Sequence, residues 1–202
     1  MTKERPIIFS AESVRAILDG RKTQTRRVVK QQYDEEGMLP DFDIRQIENN
    51  IWKYRYSPDT VVAVEGCDGL IHDRINCPYG VPGHKLWVKE TWADIAETSP
   101  GNLHYKASAT NADLDWFKKN EWKWRNPMSM PRKYSRLTLK IVNVRCERLN
   151  DISDDDYHAE GYDSIVTFVE TWDKMNSKRG FDWYSNPYVW VLEFKVMKEE
   201  TE

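Results

Sequence analysis

Eight consecutive residues concentrate the reactive groups of this chain: Gly20-Arg21-Lys22-Thr23-Gln24-Thr25-Arg26-Arg27. They offer an amine, two hydroxyls and several fixed positive charges. In an extended strand Lys22, Gln24 and Arg26 share one face, and Thr23, Thr25 and Arg27 the other. A bulge or twist where the strand begins would bring Lys22 beside Thr25. Three readings fit. A Lys–Thr pair can move protons or attack a carbonyl. Clustered cations can hold phosphate. Charged residues can also simply protect a sheet edge.

A second cluster is Ser153-Asp154-Asp155-Asp156 followed by Glu160-Gly161. Acids in a first helical turn complement the helix dipole, and Ser153 with Asp156 has the spacing of a capping box. Those three aspartates therefore need no function. Glu160 falls at the end of the same short helix, where the dipole disfavours an acid. It is either an ordinary exposed glutamate or a carboxylate held by a cation, for which Lys22 is a suitable partner. Cys67, His72, Cys77 and His84 lack the close Cys-x₂-Cys pair that makes a zinc site specific, so no metal or other cofactor is expected.

The elements that must position these groups follow from periodicity. Pro6–Phe9 reads as a strand. Ser10 N-caps a helix over 11–19 that places Val14, Ile17 and Leu18 on one face, and Gly20 stops it. Residues 23–29 have strand composition, Val61–Val64 is a short strand, and His84–Trp92 alternates. Tyr134–Leu149 is the longest strand signal, with a phase slip near Asn143 that predicts a bulge. Short acidic and longer amphipathic helices follow at 153–161 and 165–178. Tyr188–Met197 is a final, largely apolar strand. Polar segments at 31–60 and 95–130 read as insertions. The sum is an α+β fold: a small mixed or antiparallel β-barrel with about three flanking helices, in a single domain over 1–202.

Composition narrows the class. The chain has 202 residues, 40% hydrophobic and 31% charged, with a net charge of −3. That is globular, and no apolar run approaches the roughly 20 residues of a membrane helix. With few, unpaired cysteines and no secretory leader pattern, a reducing cytoplasm is expected and a membrane partner is not. Charge is unevenly placed. Residues 1–30 carry eight basic and three acidic groups, residues 114–148 ten and three, and residues 149–202 five and thirteen. The basic segments 15–30 and 114–148 are a candidate footprint for RNA or DNA. Trp116, Phe117, Trp122, Trp124 and Tyr134 lie within the second of them. They suit base stacking or, alternatively, core filling.

The motif at 20–27 resembles that of the ASCH domain family, a branch of the PUA-like β-barrels, in which a helix precedes Gly-Arg-Lys-Thr-x-Thr-x-Arg. Gly83-His84-Lys85-Leu86 is similar to the family's Gly-Asp-x-Leu strand, with His84 replacing the usual Asp. The Cys-Pro-Tyr-Gly turn at 77–80 and Lys-Glu-Thr-Trp at 89–92 are similar to longer members of the kind carried by phages and prophages. The resemblance implies a PUA-like barrel. It also implies an activity known in a compact bacterial member, hydrolysis of the N4-acetyl amide of N4-acetylcytidine. Lys22, Thr25 and Glu160 match that member's catalytic residues. Arg21, Thr23, Arg27 and Trp87 are then expected to bind substrate, a nucleoside or a modified RNA residue. Other members bind or cleave RNA, so an RNA- or DNA-binding module and a ribonuclease remain alternatives.

Overall fold

The computed structural model describes residues 3–30, 43–48, 51–56, 71–95 and 103–197, with backbone alone for 43–48, 51–56 and 71–75. Strand β1 (Glu4–Ile8) leads to α1 (Ala11–Leu18), where the Ser13 N–H donates to Ser10 Oγ at 3.2 Å. Gly20 turns the chain at φ +75°, a backbone region open to glycine at little cost, and β2 (Gln24–Val28) follows. Strands β3 (Asp43–Glu48), β4 (Ile51–Tyr56) and β5 (Ile71–Ile75) form a separate antiparallel sheet. Then come β6 (Lys85–Lys89), β7 (Trp92–Asp94), β8 (Leu103–Tyr105) and α2 (Asn111–Lys119). The remaining elements are β9 (Thr138–Arg148), α3 (Asp154–Ala159), α4 (Ile165–Asn176) and β10 (Tyr188–Val196).

The main sheet is mixed, in the order β1-β6-β9-β10-β2, with only β1–β6 parallel. Among the described residues no ladder joins β1 to β2, so the expected barrel is not plainly closed. The cause lies at the free edge of β2. There Lys22 makes a backbone bridge to Glu160, and the Thr23 N–H donates to the Ala159 carbonyl at 2.8 Å. The end of α3 thus occupies part of the edge that closure would use. Arg27 reaches across the gap instead, its Nη2 donating to the Ile8 carbonyl at 2.7 Å.

Strand β10 is buried on both faces, which explains its unbroken apolar run. Trp190, Leu192 and Phe194 pack with Leu86, Leu139, Ile141 and the α1 residues Val14 and Ile17. Val189 and Val191 pack on the other side with Phe168 and Trp172 of α4. Each such side chain contributes about 1.5–3 kcal/mol relative to exposure. The bulge near Asn143 is present. Glu193 pairs with Asn143 but Phe194 with Ile141, so Val142 is skipped and stands 45% exposed. The skip lets Ile141 and Val144 both reach the core.

The 95–130 segment departs from its expected form. It holds a fourth helix, α2, capped by a Thr110–Asp113 capping box. Phe117 stacks on Trp124 with centroids 4.3 Å apart, and packs with Ala93, Ile95 and Trp122 in a satellite core. Burial therefore accounts for Phe117, Trp122 and Trp124, whereas Trp116 stands 40% exposed. Of the expected 31–60 insertion only 43–48 and 51–56 are described; Val61–Val64 and Cys67 lie outside the described residues. Among the described residues no helix is long and apolar enough to cross a membrane, and no cluster of His, Cys, Asp or Glu is placed to hold a metal ion.

Candidate active site

Lys22 is placed by its backbone before its side chain contributes anything. Its N–H donates to the Ala16 carbonyl of α1 at 2.9 Å, and its bridge to Glu160 ties it to α3. Gly161, at φ +87°, makes that approach possible. A Cβ there would lie 3.1 Å from the Ala16 Cβ and 3.2 Å from the Lys22 Cβ. Glycine thus serves twice, for the left-handed turn after α3 and for the close contact.

The side chains then form a buried ion pair. Lys22 Nζ donates to Glu160 Oε2 at 2.6 Å and to the Glu160 carbonyl at 2.8 Å, with both residues about 5% exposed or less. Burial pushes the Lys22 pKa down, Glu160 opposes that, and the Arg27 and Arg26 charges push it further down; the net shift is downward. A lysine so placed can give up its proton at lower pH than usual. The second carboxylate oxygen, Glu160 Oε1, is buried without a hydrogen bond and lies 3.5 Å from Arg26 Nη1. An unmade bond of this kind costs about 1–3 kcal/mol or more and marks a site that is not finished structurally.

Arg26 links this pair to a larger network. Its Nη2 contacts Glu147 Oε1 at 2.5 Å and Asp156 Oδ2 at 3.0 Å, while its Nε and Nη1 remain without hydrogen bonds. Asp156 also accepts from Gln24 Nε2 at 3.0 Å and from Arg145 Nη2 at 2.6 Å. Burial alone would raise the Asp156 pKa. Hydrogen bonds from Gln24, the Ser153 backbone and Arg145, with the Arg26 charge, outweigh burial and hold it well below the usual carboxylate range. The Ser153–Asp156 capping box is present as its spacing predicts. Asp156 additionally anchors β2 to α3, which helix-capping logic alone does not reveal.

These groups border a cavity of about 470 Å³, within the range of small-molecule sites. Lys22, Thr25, Arg26, Arg27 and Glu160 form its polar wall. Phe9, Tyr162, Phe168, Trp172 and Phe181 form an aromatic one. Thr25 is 4% exposed and lies in the ladder opposite Leu192. Lys22 precedes the regular ladder of β2, so it escapes strict alternation and borders the same cavity as Thr25.

Three expected substrate contacts are placed elsewhere. Arg21 is exposed and pairs with Asp19 at 2.9 Å. Thr23 is exposed and is engaged by its backbone N–H. Trp87 is half-buried on β6, where alternation turns Leu86 and Val88 into the core; Lys89 and Arg132 lie 5.4 and 6.0 Å from its ring. None of the three borders the cavity, whereas Arg27 does. From the tryptophan-rich segment only Pro127 reaches it. The α4 side of the cavity is not legible in the sequence, because the period of Val166, Val169, Trp172 and Met175 marks an amphipathic helix without saying what it faces, and Phe168 is off that period. Cys77 offers little to a metal, since burial pushes its thiol up to about 11.

No protein-family model matches the chain. No curated protein matches it either. Among solved structures it is similar to the crystal structure of protein EF3133 from Enterococcus faecalis V583, described with family DUF984. That match covers 100% of this chain and 85% of the other, at 12% identity and a TM-score of 0.43, which is too distant to support an argument about fold or function.

Proposed function

We propose that the protein is an amidohydrolase that removes the acyl group from N4-acetylcytidine or a related acylated nucleoside. The same reading assigns its fold to the PUA-like ASCH domains. The observation that carries it is the buried Lys22–Glu160 pair at the wall of a nucleoside-sized cavity that Thr25 also borders.

Amide hydrolysis needs a nucleophile, a proton acceptor that becomes a donor, and a place for the oxyanion. Thr25 Oγ, or a water held beside it, adds to the acyl carbonyl. Neutral Lys22 takes the proton released and returns it to the cytosine N4 as the C–N bond breaks. Acetate and cytidine leave; if Thr25 is acylated, water then completes hydrolysis. Glu160 orients Lys22 and stabilises its charged form. Backbone N–H groups at the edge of β2 hold the oxyanion. The aromatic wall stacks the pyrimidine.

The test is chromatographic: purified protein with N4-acetylcytidine, following cytidine. Release by the wild type and its loss in Glu160→Gln, with an unchanged circular dichroism spectrum, supports the reading. No turnover at high enzyme concentration sinks it. The alternative of RNA binding without chemistry through segments 15–30 and 114–148 has less support. Arg132 pairs with Glu4, Arg136 with Glu90, and Arg145 with Glu147, Asp156 and Glu193, so three of the second segment's ten basic groups are engaged internally. Retarded migration of RNA without turnover or cleavage would restore that reading.

A further inference from the structure

We infer that the cavity carries a phosphate subsite at its rim, formed by Lys30 and Arg179 with Arg27 deeper, so that its ligand is a phosphorylated pyrimidine nucleoside. This rests on the proposed nucleoside chemistry for the identity of the base, but the subsite stands on its own observations.

The charges bordering the cavity do not balance. Lys22 is neutralised by Glu160, and Arg26 by Glu147 and Asp156. Arg27, Lys30 and Arg179 also border it, and among the described residues none of the three has a carboxylate within ion-pair distance. Arg27 and Arg179 are nevertheless held in place by uncharged acceptors. Arg27 Nη2 donates to the Ile8 carbonyl, and Arg179 Nη2 to Asn176 Oδ1. Such bonds orient a guanidinium without pairing it directly with a carboxylate. Arg27 Nε is buried with no acceptor. Burial pushes the Arg27 pKa down, against Tyr79, Glu160 and Tyr162, and the Arg179 charge adds the smallest push in the same direction. An anion beside Arg27 would supply the missing acceptor.

The elements place this group apart from the Lys22–Glu160 pair. Lys30 follows the end of β2, whereas Lys22 precedes its start. Arg179 lies just beyond α4, and Gly180 at φ +77° turns the chain so that Phe181 also borders the cavity. Lys22 Nζ lies 5.9 Å and Arg27 Cζ 5.0 Å from the Phe9 ring centroid. The last carbonyls of a helix would repel an anion. Here two are occupied: Asn176 Nδ2 donates to the Trp172 carbonyl at 2.9 Å, and Ser177 Oγ to the Asp173 carbonyl at 2.7 Å. The cavity lining thus supplies a reacting pair, aromatic rings and a cationic group, the three kinds of contact that the acyl-amine, ring and phosphate of a nucleotide need.

The experiment is calorimetric titration of the full chain with cytidine, cytidine 5′-monophosphate and a short oligocytidylate. Cytidine 5′-monophosphate should bind about tenfold or more tightly than cytidine at low salt, and that preference should shrink as salt rises. In Arg179→Ala with Lys30→Ala the preference should collapse towards one; both positions are exposed, so folding should be kept. Preference for the monophosphate marks a free nucleotide as the source of the phosphate. Preference for the oligonucleotide alone marks an RNA chain. Equal affinity for cytidine and both phosphorylated forms overturns the subsite. Failure of N4-acetylcytidine hydrolysis alone would remove the proposed reaction and leave these binding results standing.

Discussion

Glu90 and Glu160 are both buried carboxylates, and their ion pairs are built to different standards. Glu90 is 1% exposed and is gripped by Arg136 through both oxygens, at 2.9 and 3.0 Å. The remaining Arg136 nitrogen donates to Ser108 Oγ at 2.7 Å, and its guanidinium lies 4.2 Å from the Tyr105 ring centroid. Every group is satisfied, and neither residue borders the cavity. Lys22 and Glu160 are both buried but joined through one carboxylate oxygen; the other makes no hydrogen bond and meets Arg26 Nη1 at 3.5 Å, with a cavity alongside. Buried charge is therefore weak as a sign of function. Incomplete satisfaction beside open space is the sharper sign.

Exchanging damage between the two pairs tests that contrast most strongly. Lys22→Met or Glu160→Gln should lower kcat for N4-acetylcytidine by about 10²–10⁴-fold, the range of an acid–base group. Glu90→Gln should instead cost about 3–5 kcal/mol in urea unfolding, since it leaves Arg136 partly unpaired in the interior, with kcat per folded molecule unchanged. The opposite pattern would refute the assignment of roles. Gly161→Ala should fall between them. The strained φ and the push on Lys22 should cost about 1–3 kcal/mol and reduce kcat as well.

Titration separates the pairs more subtly. Lys22 is held below its ordinary value of 10.5, so between that lowered value and 10.5 the unfolded chain binds the extra proton. Stability must then rise with pH across this window. The unfolding free energy of wild type minus that of Lys22→Met should grow as pH increases; a flat difference would mean that Lys22 titrates normally. The smallest effect belongs to an exposed pair. Arg132–Glu4, with side chains 44% and 39% exposed, should cost only about 0.2–1 kcal/mol when Arg132 becomes Ala.

Local features of both the fold and the site were legible in the sequence. The caps at Ser10 and Ser153, the bulge near Asn143 and the suitability of Lys22 as a partner for Glu160 all follow from spacing and helix electrostatics. What was not legible was non-local. Nothing in the order of residues says that β2 ends a sheet beside β10, or that the end of α3 lies along its other edge. Trp87 is a substrate contact only by the family resemblance, and the alternation of β6 decides its direction. Arg26 reads as one of several clustered cations, because its carboxylate neighbours Glu147, Asp156 and Glu160 come from distant segments.

The Lys22–Glu160 contact spans 138 positions. Strand β2 pairs in the main sheet only with β10, the last strand described. During synthesis the basic motif therefore leaves the ribosome long before any of the acids that will enclose it. Closing so long a loop is slow, and its entropy must be lost before the contact rewards it. For that interval Lys22 and Arg26 are solvated, ordinary cations. The perturbed lysine is thus a late product of folding, and a nascent chain that stops short of β10 carries the motif without its chemistry.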